Sequence, residues 1–280
     1  MRTFLLTLVL ALGRPLFGDF TADWNKPVMP FAIAGNIYYV GTNYLASYLV
    51  KTPAGAILIN PDYEESVPLI KSSVEKLGLQ FTDIKIILIS HAHDDHAAGC
   101  ALAKKLSGAK LMVMDADVPV IEQGGVGDFY YKTRWAAAKV DRVLHDMSEV
   151  KLGGTTLTAH LTPGHTKGCT TWTMEVMEGG KLLHVVIVGS PNVNTGYRLL
   201  NNTQYPGMAA DYEKCFRVLG ALPCDVFLGA HGVYFGMDEK LKRMKAGAGN
   251  VFIDAAGYRA YVAEREQAFR EEWKRQTAAN

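Results

Sequence analysis

The sequence lacks any marked excess of charge of either sign. Its 29 lysine and arginine residues against 28 aspartates and glutamates give a formal net charge of +1. Nucleic acids and acidic membranes attract strongly basic proteins, so this balance gives no reason to expect either as a partner. The chain also has no low-complexity segment, and 49% of its residues are hydrophobic. We therefore expect a folded globular protein, which we further expect to be a monomer.

No apolar run is long enough to span a membrane as a helix, which takes about 20 residues. One apolar segment, residues 3–13, follows a basic start and ends at the small residues Ala11 and Gly13. This order is typical of a secretory signal peptide; the alternative, a buried N-terminal helix, would need a polar face that the segment lacks. We expect a signal peptide at residues 1–18, a single domain at residues 19–280, and a periplasmic or secreted mature protein that is free of the membrane.

Cysteine is scarce, with four residues in 280. None of the four is arranged like a member of a disulfide framework, and a core of this size needs no such support. A bond between Cys215 and Cys224 remains possible. Cys169 lies near a histidine that could bind metal, His165, but a small buried side chain is the expected role.

Metal-capable side chains are concentrated in one hexapeptide, His-Ala-His-Asp-Asp-His at positions 91–96. It follows an apolar, β-branched run at residues 84–90, which predicts a buried strand that ends at the first histidine. Imidazole and carboxylate ligands suit zinc better than calcium or magnesium. One short loop cannot surround an ion with all of these groups, so we expect His91 and His93 to serve one ion and Asp95 and His96 a second.

Two later histidines also follow predicted strands and can complete both sites. His165 lies in a Gly/Pro loop after an alternating strand at residues 156–161, and His231 lies after an apolar strand at residues 224–228. Neighbouring glycines allow the backbone to come close to a shared centre. The sequence therefore predicts a centre of two zinc ions.

Predicted strands and helices follow one another in two similar halves. In the first half, strands at 37–40, 44–50 and 55–60 precede a helix at 64–77, the strand and loop at 84–96, a helix at 95–106 and a strand at 110–114. The second half has strands at 140–144, 150–152, 155–161, 170–176 and 182–188, a helix at 209–219, a strand at 224–228, a helix at 238–245, a strand at 249–253 and a helix at 258–275. This order predicts an α/β fold in which two sheets pack face to face with helices outside and the metal loops meet at one edge.

The segment at residues 124–135 breaks this order, because it is rich in glycine and aromatic residues and has no clear periodicity. Two interpretations remain open. It is either a surface loop that packs its aromatic rings into the core, or a mobile wall over the metal site that holds the apolar part of a substrate. The second interpretation makes Phe129 a substrate contact.

These motifs resemble those of the metallo-β-lactamase superfamily, and more closely those of its subclass B3 zinc β-lactamases. The resemblance covers essentially the whole chain after the leader and is carried by residues 35–42, 91–96, 163–168, 196–197 and 222–225. It implies an αββα sandwich of two pseudo-repeated halves. It also implies that His91, His93 and His165 bind the first zinc ion, and that Asp95, His96 and His231 bind the second.

One position distinguishes members of that superfamily. Relatives such as glyoxalase II and lactonases carry a metal-bridging aspartate after the strand that corresponds to residues 184–189, whereas Ser190 occupies this position here. The serine, together with His96, matches the B3 pattern. It implies hydrolysis of the β-lactam amide bond, carbapenems included, and resistance to these antibiotics.

A zinc ion held by neutral imidazoles lowers the pKa of its water from about 15.7 to about 7. We expect such a hydroxide to attack the lactam carbonyl with Asp95 orienting it and Tyr197 donating to the developing oxyanion. Ser190, Asn192 and Asn194 are expected to help bind the substrate. The alternatives are a lactonase or glyoxalase II-like thioesterase of the same fold, and a metal-binding protein without catalysis.

Overall fold

The computed structural model describes residues 23–279. Within this range the chain forms two β-sheets, of seven and five strands. The strands of the first sheet lie in sequence order, β1 to β7. They are β1 Phe31–Ala34, β2 Ile37–Tyr39, β3 Tyr48–Thr52, β4 Gly55–Ile59, β5 Ile84–Leu88, β6 Lys110–Met114 and β7 Arg142–Leu144. The predicted signal peptide at residues 1–18 lies outside the described residues.

The second sheet has the order β12-β11-β10-β9-β8. Its strands are β8 Ser148–Leu152, β9 Thr155–Leu161, β10 Thr170–Glu178, β11 Lys181–Val188 and β12 Val226–Gly229. The α-helices are Val67–Lys76, Asp94–Ala97, Cys100–Ser107, Val118–Glu122, Met208–Ala221, Met237–Lys245 and Ala255–Ala278. Short 3₁₀ helices lie at Glu64–Ser66, Phe81–Asp83, Asp115–Asp117 and Gly232–Phe235.

The sheets pack face to face because both faces of the first sheet are apolar. Successive side chains of a strand point to opposite faces. In β4, Ile57 and Ile59 join the core between the sheets, which includes Trp172. Ala56 and Leu58 point the other way, into a second core beneath two helices. The first sheet is therefore buried on both sides.

Two helices cover the outer face of the second sheet. Their apolar side chains belong to the same core as the side chains between the sheets. Tyr212 and Phe216 of the helix Met208–Ala221 stack on Phe269 of the helix Ala255–Ala278, with ring centroids 5.2 and 5.6 Å away. The layers are helix, sheet, sheet and helix, which confirms the predicted αββα sandwich.

Parallel strands deliver the metal loops to one edge of the sandwich. β5 runs parallel to β4 and β6, and β11 runs parallel to β12. The two sheets are tied together at this edge, because the Thr170 amide donates to the Ser90 carbonyl at 2.7 Å and the Ala46 amide donates to the Ala230 carbonyl at 3.0 Å. The predicted meeting of the metal loops at one edge is confirmed.

Three local predictions differ from the structure. Residues 249–253 form no strand and contact β12 through one isolated bridge, between Val226 and Ile253. The strand predicted at 44–50 begins at Tyr48, and a strand at Phe31–Ala34 was not predicted. Cys215 and Cys224 are both free thiols, so the possible bond between them is absent.

None of the helices within residues 23–279 combines the length and apolar character that crossing a membrane requires.

Candidate metal centre

The structure brings the six predicted ligands together. Nitrogen atoms of His91, His93 and His165 lie within 4.8 Å of one another, as do ligand atoms of His91, Asp95 and His96. Nε2 of His231 lies 3.1 Å from Nε2 of His96. Oδ2 of Asp95 lies 3.3 Å from Nε2 of His96 and 3.5 Å from Nε2 of His231. The two clusters are therefore adjacent.

In His165 and His91, one ring nitrogen contacts a protein oxygen, and the other ring nitrogen is left for a metal ion. His165 donates from Nδ1 to the Asn192 carbonyl at 2.8 Å, and Nδ1 of His91 lies 3.1 Å from Ser90 Oγ. Nε2 of His91 is buried and has no hydrogen-bond partner among the described residues. Buried polar atoms are rarely left without a partner, so this nitrogen is suited to a metal ion. The donor set of imidazoles and one carboxylate fits zinc.

Four of the imidazoles, those of His91, His96, His165 and His231, are held in the neutral form that binds metal. Burial, followed by the neighbouring histidines, lowers the pKa of His91 and of His165 well below the usual value. The same causes lower the pKa of His96 and of His231 to about 3. Protons therefore do not compete for these nitrogens at neutral pH.

Asp117, which the sequence analysis did not identify, joins the two loops of the first cluster. Its buried carboxylate accepts the Ala92 amide at 2.9 Å, the Thr166 hydroxyl at 2.8 Å and the Gly168 amide at 2.8 Å. Ala92 lies between the ligands His91 and His93, and the other two donors follow the ligand His165 in the chain. Its partners are 25 to 51 residues away in the chain, so no local pattern could have indicated this role.

A second buried carboxylate, Asp62, lies behind the other cluster. Its Oδ2 accepts the Ser47 hydroxyl at 2.5 Å, and its Oδ1 lies 4.0 Å from Nδ1 of His96. Asp62 and Asn60 both have positive φ, of 56° and 59°, and the Asn60 side chain accepts the Ser90 amide at 2.7 Å. The two polar residues Asn60 and Asp62, directly after an apolar strand, were the signal available in the sequence.

A third carboxylate connects the loop at residues 124–135 to the site. Asp128 Oδ2 lies 3.5 Å from Nε2 of His93, while Oδ1 accepts the amides of Tyr130 and Tyr131. Burial opposes the charge of Asp128, but hydrogen bonding to His93 and to these amides outweighs it and lowers the pKa of the carboxyl. Such partners orient a metal-binding histidine.

A cavity of about 360 Å³ opens over the centre. It is mainly aromatic and polar. Its lining comprises Trp24, Tyr44, Tyr63, His93, Asp94, Asp95, Tyr131, Thr133, His165, Asn192, Asn194, His231 and Tyr234. Asn192 and Asn194 are among these lining residues, and their contact with a substrate stays a prediction.

Three residues that were expected to act on the substrate, Phe129, Tyr197 and Ser190, are not among the residues that line this cavity. Phe129 packs against Tyr197 and Tyr205, with ring centroids 5.0 and 5.1 Å away, so the cavity wall is made by Tyr131 instead. The Tyr197 hydroxyl is buried and donates to the His165 carbonyl at 3.1 Å, which leaves it unable to serve as the expected oxyanion donor. Ser190 is buried, and its Oγ lies 3.2 Å from the Tyr234 hydroxyl. Its contact with a substrate can only be indirect.

Part of the chain matches a known protein family. Residues 41–177 match the model of the metallo-beta-lactamase superfamily. Among curated proteins, a hydroxyacylglutathione hydrolase of Rhodopseudomonas palustris (strain BisB5) is 29% identical over 120 residues, which are 42% of this chain. The chain spans only 39% of that relative's length.

Solved structures match over most of the chain. The native FEZ-1 metallo-beta-lactamase from Legionella gormanii is 51% identical, with a TM-score of 0.89 over 90% of this chain and 98% of that chain. BJP-1, a subclass B3 metallo-beta-lactamase of Bradyrhizobium japonicum, is 40% identical, with a TM-score of 0.86 over 92% and 98% of the two chains. The class B3 di-zinc enzyme LRA-12 from an Alaskan soil metagenome is 33% identical, with a TM-score of 0.85 over 89% and 96%.

Proposed function

The chain belongs to the metallo-beta-lactamase superfamily, and we propose that it uses two zinc ions to hydrolyse the amide bond of β-lactam antibiotics, carbapenems included. The observation that carries this proposal is the convergence of five imidazoles and one carboxylate beneath a single cavity. The similarity to solved β-lactamases supports the choice of substrate.

Two sets of residues would hold the metal. We assign His91, His93 and His165 to the first ion, and Asp95, His96 and His231 to the second. When bound, zinc supplies a Lewis acid that polarises a carbonyl oxygen and acidifies water near neutral pH. Neutral imidazole ligands would leave the first ion its full charge.

The remaining chemistry rests on side chains around the cavity. Asp95 lies against His96 and His231 of the second set and lines the cavity, where its carboxylate can orient a water and accept its proton. The Asn194 amide donates to the Tyr131 hydroxyl at 2.8 Å, and both groups line the cavity. We assign substrate binding to this pair. Ser190 and Tyr234 hold the Asn192 loop from behind, since the Asn192 amide donates to the Tyr234 hydroxyl at 2.7 Å.

Purified protein loaded with zinc tests the proposal by turnover of nitrocefin and of a carbapenem, with and without a chelator. We expect turnover that the chelator abolishes. His93→Ala should lose at least a hundredfold in kcat/KM, because it removes a metal ligand. It should keep the far-UV circular dichroism of the parent protein, because the substitution leaves the packing of the sandwich intact. Full activity in that variant would exclude the assigned centre.

A thioesterase is the second candidate, favoured by the partial match to a hydroxyacylglutathione hydrolase. The buried Ser190 counts against it, because this position offers no carboxylate to bridge two ions. Lactonase and glutathione thioester substrates in the same assay separate the candidates. Thioester turnover without β-lactam turnover would favour the second.

A further inference from the structure

A groove of about 620 Å³ continues the metal cavity towards the C-terminal helix. The groove and the cavity share three lining residues, Tyr44, Asn192 and Tyr234. The far end of the groove is lined by Tyr261 and Arg265 of the helix Ala255–Ala278. A molecule that lies over the metal centre can therefore extend past Tyr234 to this helix.

Two hydrogen-bond donors at the far end have no acceptor. The hydroxyl of Tyr261 and Nε of Arg265 are both buried and lack a partner among the described residues. They are four residues apart and so lie on the same face of the helix. The Tyr261 ring stacks on Tyr234, with centroids 5.3 Å apart. The pair is thus one aromatic ring beyond the metal cavity.

The other charges in the groove leave this pair available. Asp254 pairs with Lys240 at 2.8 Å, and Glu239 pairs with Lys242 at 3.5 Å. Arg265 contacts the neighbouring Glu264 through Nη2, but that glutamate is 68% exposed, and exposed ion pairs hold their partners weakly. Nε of Arg265 lies on the same edge of the guanidinium as Nη2, but it makes no hydrogen bond among the described residues, so its N–H is free to donate.

The geometry points to a subsite for a carboxylate on the substrate side chain, remote from the lactam ring, held by Tyr261 and Arg265. A carboxylate has two oxygens and can accept from both donors, and hydrogen bonds to a guanidinium are strengthened by charge. This inference rests on the proposed β-lactam hydrolysis, for which it names a preferred class of substrate.

Benzylpenicillin and carbenicillin provide a matched test, because carbenicillin carries one additional carboxylate on the benzylic carbon of the side chain. We expect Arg265→Gln to lower the ratio of kcat/KM for carbenicillin to that for benzylpenicillin by about tenfold, mainly through KM. Tyr261→Phe should lower the ratio by about threefold, since it removes one uncharged donor. Arg270→Gln is the control, because Arg270 lies on the same helix and pairs with Glu266; its ratio should not change.

An unchanged ratio in Arg265→Gln, or an equal fall in the Arg270→Gln control, would overturn the subsite while leaving β-lactam hydrolysis intact. If the parent protein hydrolyses neither penicillin, calorimetric binding of phenylmalonate and phenylacetate decides the matter separately. Tighter binding of phenylmalonate that Arg265→Gln removes would support the subsite. Equal binding of the two acids by the parent protein would refute it.

Discussion

Buried carboxylates that are not assigned as ligands fix the positions of the ligands. Asp62, Asp117 and Asp128 each accept hydrogen bonds from protein groups close to a metal-binding loop. A buried carboxylate is costly unless donors compensate it. Asp117 accepts three hydrogen bonds and Asp128 accepts two, whereas Asp62 accepts one, from Ser47. Their shared role is to hold imidazoles in place before any metal binds, which lowers the cost of ordering the site.

Asp117→Asn tests this role at a single residue. The amide replaces one acceptor oxygen with a donor, so at least one of the three donors loses its partner. We expect zinc affinity to fall by 10- to 100-fold, on the order of effects at such outer positions, and the free energy of unfolding to fall by about 2 kcal/mol. Chelator competition and urea unfolding measure these quantities.

Asp115→Asn is the matched control. Asp115 is two residues away, is half exposed and pairs with the exposed His145 at 3.0 Å. Both quantities should stay near the parent values. Equal zinc affinity in the Asp117 and Asp115 variants would refute the positioning role of Asp117.

The loop that carries His165 depends on one glycine. Gly164 has a φ of +129°, and a Cβ there would lie 2.7 Å from the ring of Tyr212. Tyr212 in turn donates to the Asn192 carbonyl at 2.6 Å, the same oxygen that accepts from His165. The loop and the helix Met208–Ala221 therefore fix this ligand together.

Gly164→Ala should move His165 and weaken zinc binding by at least tenfold, because both the backbone conformation and the contact with Tyr212 oppose a side chain. Gly154→Ala separates the two causes. Gly154 has a φ of +87°, but a Cβ there meets nothing within 4 Å. The control should be destabilised by about 1 kcal/mol and bind zinc normally. A similar zinc affinity in both variants would contradict the account.

The loop at residues 124–135 divides its aromatic rings between two tasks. Phe129 and Tyr131 are both partly buried against the core, but Tyr131 also lines the cavity, with its ring centroid 4.8 Å from that of His93. The loop therefore packs against the core and also forms part of the cavity wall, while its mobility and its contact with a substrate stay predictions. The sequence could not show which residue lines the cavity, because a segment without periodicity does not indicate which side chains point in the same direction.

Phe129→Ala and Tyr131→Ala should have opposite effects. The first removes a core contact and should lower the free energy of unfolding by about 2–4 kcal/mol, with a small effect on KM. The second removes a cavity wall and should raise KM severalfold with little loss of stability. Urea unfolding and steady-state kinetics of both variants measure this. A larger KM change in Phe129→Ala would show that the assignment is reversed.

At the scale of the whole molecule, the fold and the ligand set followed from strong local patterns. Apolar strands that end in histidines predicted which chain segments meet, and the resemblance assigned ligands to the two ions. The predictions that were wrong rested on weak sequence patterns. Residues 249–253 are apolar enough for a strand, but the Asn250 side chain donates to the Ile33 carbonyl at 2.7 Å and accepts the Phe252 amide at 3.0 Å, which favours a turn. Asp117 acts across separations of 25 to 51 residues, which no local pattern records.

The sandwich should survive metal removal, because the core between the sheets and the core beneath the helices do not include the ligands. Metal that binds only the folded state adds about 4 kcal/mol at a thousandfold excess over Kd. Stripping the protein with a chelator should therefore lower Tm by roughly 10 °C, and the far-UV circular dichroism should persist. Unfolding of the stripped protein at room temperature would show that the fold requires the metal.

Zinc titration of stripped protein, with calorimetry and nitrocefin turnover followed on the same sample, tests the central claim most directly. We predict two equivalents of zinc bound per chain, hydrolysis that rises from zero as zinc is added, and one equivalent in His231→Ala. Undiminished hydrolysis in fully stripped protein, or two bound equivalents with no hydrolysis, would contradict the account.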